Sequence, residues 1–160
     1  MNIFILDKDP KIAAQMHCDK HVPKMILETA QMMSTAHHIY NTPESALVYK
    51  KAHVNHPCTI WIRESVANYE WAWHLFNNLN LEFVLRRNKM HESWLKLGSI
   101  LGTVPIGMPS KGLTPFAQAM PDEFKRADAV EAYRAYYKGA KSAFAKWEWP
   151  NAKQPQWWTA

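Results

Sequence analysis

Apolar positions recur at steps of three and four along two long stretches of the chain. From Asp19 to Tyr40, Val22, Met25, Ile26, Met33 and Ala36 fall on one helical face. From Ser65 to Arg87, Val66, Tyr69, Trp73, Phe76 and Phe83 form an aromatic stripe suited to packing against that face. Two long, packed helices are predicted. Asp9-Pro10 supplies a cap and a first position for a short preceding helix, with a break between Cys18 and Lys20, and Pro23 is tolerable in the first turn that follows. Thr42-Pro43 opens a short helix to about His53, and His56-Pro57 restarts the chain. Asp128 caps a last helix on which Val130, Tyr133, Tyr137, Ala140 and Phe144 share a face. Four of the five glycines lie between Gly98 and Pro121 with four prolines, which predicts a long irregular loop or lid. The tail from 145 to 160 carries four tryptophans without periodicity and is expected to dock on the body. With no strand pattern and no repeat, the reading is an all-α, compact single domain spanning 1–160.

Composition narrows the class. A chain of 160 residues that is 48% hydrophobic has enough apolar surface for one core, and disordered and low-complexity readings fall away. The formal net charge of +5 favours a polyanionic partner. Two cysteines are too few for a disulfide scaffold, no leader pattern opens the sequence, and no apolar run approaches the roughly 20 residues of a membrane span. A soluble, cytoplasmic monomer without a membrane role is expected. Neither a phosphate-binding loop, a dinucleotide glycine fingerprint nor a serine-centred elbow is present, so no cofactor is anticipated.

The densest chemistry lies on the first long helix. At 100° per residue, His17, His21, Lys24, Glu28, Gln31 and Thr35 project opposite the apolar face. A carboxylate one turn from a lysine and two from a histidine can hold a proton, stabilise a cation and accept a sugar hydroxyl. A solvated charged face is the plain alternative, since a Lys24 to Glu28 pair on a helix surface contributes only about 0.2–0.5 kcal/mol. A further alternative is metal: His17, Cys18 and His21 meeting His53, His56 and Cys58, although neither cluster has the two-cysteine spacing of a zinc knuckle. Cys58, just after Pro57, reads either as a helix-terminal nucleophile or as a buried, inert thiol.

Asp19-Lys20-His21-Val22 followed by Glu28 resembles the pyrimidine dimer DNA glycosylases of the phage endonuclease V type, which carry an aspartate, a histidine two residues on, then an aliphatic residue, and a catalytic glutamate nine residues after the aspartate. Met120-Pro121-Asp122-Glu123-Phe124-Lys125 is similar to a further segment of that family, and Tyr133-Arg134-Ala135-Tyr136-Tyr137-Lys138-Gly139 to its basic, tyrosine-rich run that lies against DNA. The three matches keep their order. The resemblance implies a compact helical fold, duplex DNA as partner, and a reaction in which an amine attacks the sugar carbon bearing the base while Glu28 manages protons, with β-elimination able to nick the strand. In that family the amine belongs to a small residue exposed by loss of the initiator methionine. Residue 2 here is the larger Asn2, which leaves Met1, Asn2 and Lys24 as amine candidates, with His21 and Glu28 beside them. The family's arginines immediately before and three residues after its glutamate are Leu27 and Gln31 in this chain.

The leading expectation is therefore a DNA base-excision enzyme, a glycosylase with lyase activity, serving repair or modification of DNA. Lys20, Arg86, Arg87, Lys89, Lys125, Arg126, Arg134, Tyr137, Lys138 and Lys141 are its candidate DNA contacts. The alternatives are a base-modifying transferase on the same scaffold, to which Asn2, Leu27 and Gln31 point, and a non-catalytic helical module that binds DNA or protein through Trp147, Trp149, Trp157 and Trp158.

Overall fold

The computed structural model describes residues 1–159. Six α-helices follow one another: α1 Pro10–Met16, α2 His21–Ile39, α3 Pro57–Glu64, α4 Val66–Arg87, α5 Glu92–Leu101 and α6 Ala129–Ala140. Short 3₁₀ turns occupy Pro43–Ala46 and Asp122–Phe124, and no strand occurs among the described residues.

The helix starts follow from their caps. The Asp9 side chain accepts the Lys11 N–H with Pro10 behind it, Ser65 accepts from Asn68, and Asp128 accepts from Val130, each satisfying one of the donors a helix start leaves free. Asn88 closes α4 in the left-handed conformation, φ 56°. The two long helices α2 and α4 lie against each other, α1 also runs along α4, and α3 bridges the pair. Tyr69, Leu75, Phe76 and Leu79 of α4 are buried against Val22, Ile26 and Met33 of α2 in a continuous core.

Three expectations need correction. The helix from Thr42 to about His53 is only the turn Pro43–Ala46. Beyond it the chain is irregular and is tied instead to α2, where the Thr35 hydroxyl bonds both the N–H and the carbonyl of Ala52. The Gly/Pro segment begins inside α5, which the density of glycines conceals: Gly98 is helical, and a Cβ there would lie 2.9 Å from the Trp94 ring, so glycine serves close packing in this helix. The rest of that segment is irregular but bolted down. Thr114 bonds Asn68, Trp61 donates to the Thr114 carbonyl, and Val66 donates to Pro109. Finally, α6 ends at Ala140, one turn short of Phe144.

The first six residues are the element on which the site depends. Ile3, Phe4, Ile5 and Leu6 are all buried, each side chain contributing about 1.5–3 kcal/mol of apolar burial, so the segment is part of the core. Phe4 stacks on His21 at 4.6 Å and meets Tyr133, Tyr136 and Tyr137 of α6, and Arg134 donates to the Leu6 carbonyl. Helix α6 therefore packs on the N-terminal segment and, through it, on α2. In the tail, Trp147, Trp157 and Trp158 surround Tyr137, and Trp147 donates to the Met16 carbonyl.

Candidate active site

The site starts from the register of α2. At 100° per residue Lys20, Lys24, Leu27 and Gln31 share one stripe, and His21 and Glu28 lie some 80–100° around from Lys20. The structure leaves Lys20, Lys24 and Leu27 exposed and buries His21 and Glu28, at 1% and 8% exposure, under the N-terminal segment. The polar face read from the sequence is thus split, and Glu28 belongs to its covered flank. Thr35 and His17 are fully buried as well.

The threaded segment delivers an amine to that carboxylate. The α-amine of Met1 stands 2.9 Å from Glu28 Oε1; the Met1 side chain and the Glu28 side chain are largely removed from solvent, and Met1 as a residue is half-buried. Glu28 Oε2 is buried with no hydrogen-bond partner among the described residues, so one of its two oxygens is left unpartnered in a dry position that a proton can satisfy. The pair opens into a cavity of about 110 Å³ lined by Met1, Asn2, Phe4, His21, Lys24, Met25, Glu28, Tyr136 and Lys141.

His21 forms the wall. Its Nδ1 lies 2.6 Å from the Tyr137 hydroxyl, and burial, followed by the nearby positive charges of His17, Lys141, Lys24 and Lys20, pushes its pKa down to about 2. The ring is neutral at working pH. It shapes and polarises the pocket without serving as a proton donor in imidazolium form. Lys24 and Lys141, from α2 and the turn after α6, line the cavity, and Lys20 at the start of α2 is close enough to His21 to add to that depression. None has a carboxylate within 4.0 Å among the described residues, and Lys20 and Lys141 rest over the rings of Phe144 and Tyr136 at 4.8 and 4.6 Å. The rim is an uncompensated basic collar.

His56, Phe4 and Tyr136 are members of the site that the sequence does not single out for it. His56 accepts the Cys58 N–H at Nδ1 and faces the Met1 carbonyl, with the amine and Glu28 close enough to influence its ionisation, although burial is what chiefly lowers its pKa. Nothing in the spacing of residues 4, 56 and 136 announces this meeting; the alternating aromatics of the tyrosine run are the one available signal.

Several candidate contacts are placed elsewhere. Arg86 is buried, its guanidinium bonding Glu82, Asp19 and the carbonyls of Gln15 and His17, so it is a core strut with no surface to offer DNA. Tyr137 is fully buried and holds His21 and Cys18, which removes it from the DNA-facing set too. Asp19 of the Asp-x-His spacing is structural: its carboxylate takes Arg86 on one oxygen and the Glu148 and Trp149 N–H groups on the other, fastening the tail to the start of α2. Arg134 is half-buried between Leu6, Asp7 and the Trp157 ring. Arg87, Lys89, Lys125, Arg126 and Lys138 remain on the surface, with Lys125 paired to Asp122 and Arg126 bonded to backbone carbonyls.

The metal alternative does not assemble, since no group of three or more His, Cys, Asp or Glu side chains is in ligating position among the described residues. His17 donates to the Ala13 carbonyl, and burial lowers its pKa to about 4. His53 is an exposed residue in the left-handed conformation, φ 47°. Cys18 and Cys58 are separate buried thiols, both with raised pKa through burial, Cys58 to about 11. Cys58 at the α3 start is therefore the inert thiol of the two readings.

Fold and site define a class: an all-helical domain that holds an α-amine against a buried carboxylate inside a basic rim. No family model, curated protein or solved structure matches the chain. Among the described residues no helix is long and apolar enough to cross a membrane.

Proposed function

We propose that the chain is a DNA base-excision enzyme, a glycosylase with lyase activity, whose nucleophile is the α-amine of Met1. The observation that carries this reading is the Met1 to Glu28 pair at 2.9 Å with Glu28 Oε2 left unpartnered. An ammonium is not nucleophilic; a carboxylate in contact with it is the base that frees its lone pair. In the proposed step Glu28 takes a proton, the amine nitrogen bonds to the sugar carbon, and the bond to the base breaks with its electrons leaving on the base, which the proton on Glu28 can neutralise. With its first proton passed to the base, Glu28 takes a second from the now positive nitrogen, whose restored lone pair opens the sugar ring to a protonated imine as that proton passes to the departing ring oxygen. Loss of the proton on the neighbouring carbon expels the 3′ phosphate. Through the charged stages the Glu28 carboxylate, sheltered from water, stabilises the positive sugar and imine.

Lys24 and Lys141 of the cavity lining, with Lys20 nearby, support a phosphodiester substrate, and the resemblance to the endonuclease V type of pyrimidine dimer glycosylase points the same way. A cavity of about 110 Å³ lies well below the roughly 300 Å³ at which pockets begin to enclose a whole ligand, so the reading puts the sugar carbon at the amine and the base at the rim. Lys24, an exposed residue at the rim, takes the part of a phosphate contact in this scheme rather than that of the nucleophile.

The test is incubation with duplexes carrying single modified, damaged or abasic positions in the presence of borohydride. A covalent protein–DNA adduct, and its loss by a factor of about 10² to 10⁴ in Glu28→Gln with duplex affinity kept, is the expected result. Full activity of Glu28→Gln would overturn the assignment.

A further inference from the structure

The amine reaches Glu28 only if the N-terminal segment enters the core in one register, and apolar burial does not choose it. Ile3, Phe4, Ile5 and Leu6 are all buried, on both sides of the segment, so sliding the chain exchanges one apolar residue for another. Asn2 is different. It is the only residue between Met1 and Leu6 with a polar side chain, and it is 8% exposed. Its Nδ2 donates to the Ala119 carbonyl at 2.8 Å, and its Oδ1 accepts the Ile3 N–H at 2.8 Å and lies 3.0 Å from the Tyr133 hydroxyl and 3.4 Å from the Cys58 thiol. The side chain thus has partners on α3, on α6 and on the segment before the second 3₁₀ turn. A buried amide with all these bonds made is stable in one place, and any slip leaves several polar groups unpaired.

We propose that Asn2 is the positioning residue for the amine and that Met1 is consequently an obligatory part of the site. The inference rests on the amine reading above. An extended residue spans about 3.3 Å, so a slip by one residue, or removal of Met1 with Asn2 held in place, withdraws the amine from 2.9 Å to beyond hydrogen-bond reach of Glu28. Asn2 touches no reacting atom in this scheme; it acts through the direction it gives the chain.

Two measurements on the full chain test this. The first needs no DNA: reductive methylation of the Met1 α-amine by formaldehyde and cyanoborohydride, followed on the N-terminal peptide by mass spectrometry. The amine of the wild type is paired with Glu28, so Asn2→Leu, which keeps the size of residue 2 and therefore Met1 but removes the amide, should be modified about 10-fold faster, and Tyr133→Phe, which removes one hydroxyl and keeps the ring, should move the same way by less. The second is the rate of adduct formation on a duplex with one abasic site. In Asn2→Leu the rate at saturating DNA should fall about 100-fold, as a displacement of an ångström or more at a reacting centre does, with half-saturation unchanged. Asn2→Ser, whose small second residue permits removal of Met1, should lose the adduct once mass spectrometry shows Met1 gone. Equal α-amine labelling in wild type and Asn2→Leu, or a fully active Asn2→Ser chain lacking Met1, would overturn the positioning role. A wild type that forms no adduct while its amine is paired as described would overturn the excision reading and leave Asn2 as the anchor. Should Asn2→Leu fail to fold, Tyr133→Phe carries the same comparison.

Discussion

Replacing Arg86 by Ala should unfold the protein more readily and leave duplex recognition by folded molecules intact. All five N–H groups of this guanidinium are used: two reach Glu82 at 3.0 and 3.1 Å, one reaches Asp19 at 3.1 Å, and the carbonyls of His17 and Gln15 accept at 2.9 and 3.0 Å. Truncation leaves two buried carboxylates without their cation and two buried carbonyls without a donor. Removing one partner of a buried ionic cluster costs about 3–5 kcal/mol, a large share of the roughly 5–15 kcal/mol that holds a domain together. For a chain of this size that corresponds to a fall in Tm of about 6–20 °C. Lysine at position 86 should not restore it, because an ammonium cannot span the forked arrangement. The control is Arg87→Ala: Arg87 is exposed and stacked on Trp149 at 4.6 Å, and its loss should cost about 1 kcal/mol or less. The assay is thermal and urea unfolding by circular dichroism beside duplex binding of the folded fraction. Arg86→Ala with wild-type stability and weakened DNA affinity would refute the reasoning and return Arg86 to the surface.

Acid should destabilise the fold through the buried histidines. His17 has its pKa depressed by burial to about 4 against 6.5 in the unfolded chain, so the unfolded state binds the extra proton and stability falls as pH drops below 6.5, with the loss largely complete near pH 4; the integrated effect is on the order of 3 kcal/mol, read from urea midpoints, and His17→Gln should flatten the curve. Alanine at Lys20, Lys24 and Lys141 together should lower the magnitude of the salt slope of log K for duplex binding by about 0.9 for each phosphate no longer neutralised, and an unchanged slope would mean that the collar faces no DNA. Tyr137→Phe should cost stability by freeing His21 Nδ1 and the Cys18 N–H in a dry site, about 1–3 kcal/mol by thermal melt, and leave the salt slope alone.

The helical frame is legible in the sequence because its signals are local: caps at Asp9, Ser65 and Asp128, and apolar periodicity along α2 and α4, need no knowledge of the rest of the chain. The helix α5 is hidden because Glu92–Leu101 carries Gly98, whose presence reflects the Trp94 ring packed on it and not a turn. In the site, Glu28, His21 and Lys24 are legible from spacing along one helix. Arg86 and Tyr137 mislead because a basic or tyrosine-rich run looks the same whether it meets phosphate or a buried carboxylate, and only the fold brings Asp19 and Glu82 to Arg86. The roles of Asn2 and His56 are out of reach for the same reason: partners 56, 117 and 131 residues away in sequence define Asn2.

The measurement that bears most directly on the whole account is the position of the covalent bond in a borohydride-trapped adduct between the wild-type chain and a duplex with one abasic site. After digestion of protein and DNA, mass spectrometry should find the sugar remnant on the α-nitrogen of Met1, and a chain extended by a few residues at its N-terminus should yield none. A remnant on Lys24, or an extended chain that reacts as fast as the wild type, would contradict the account.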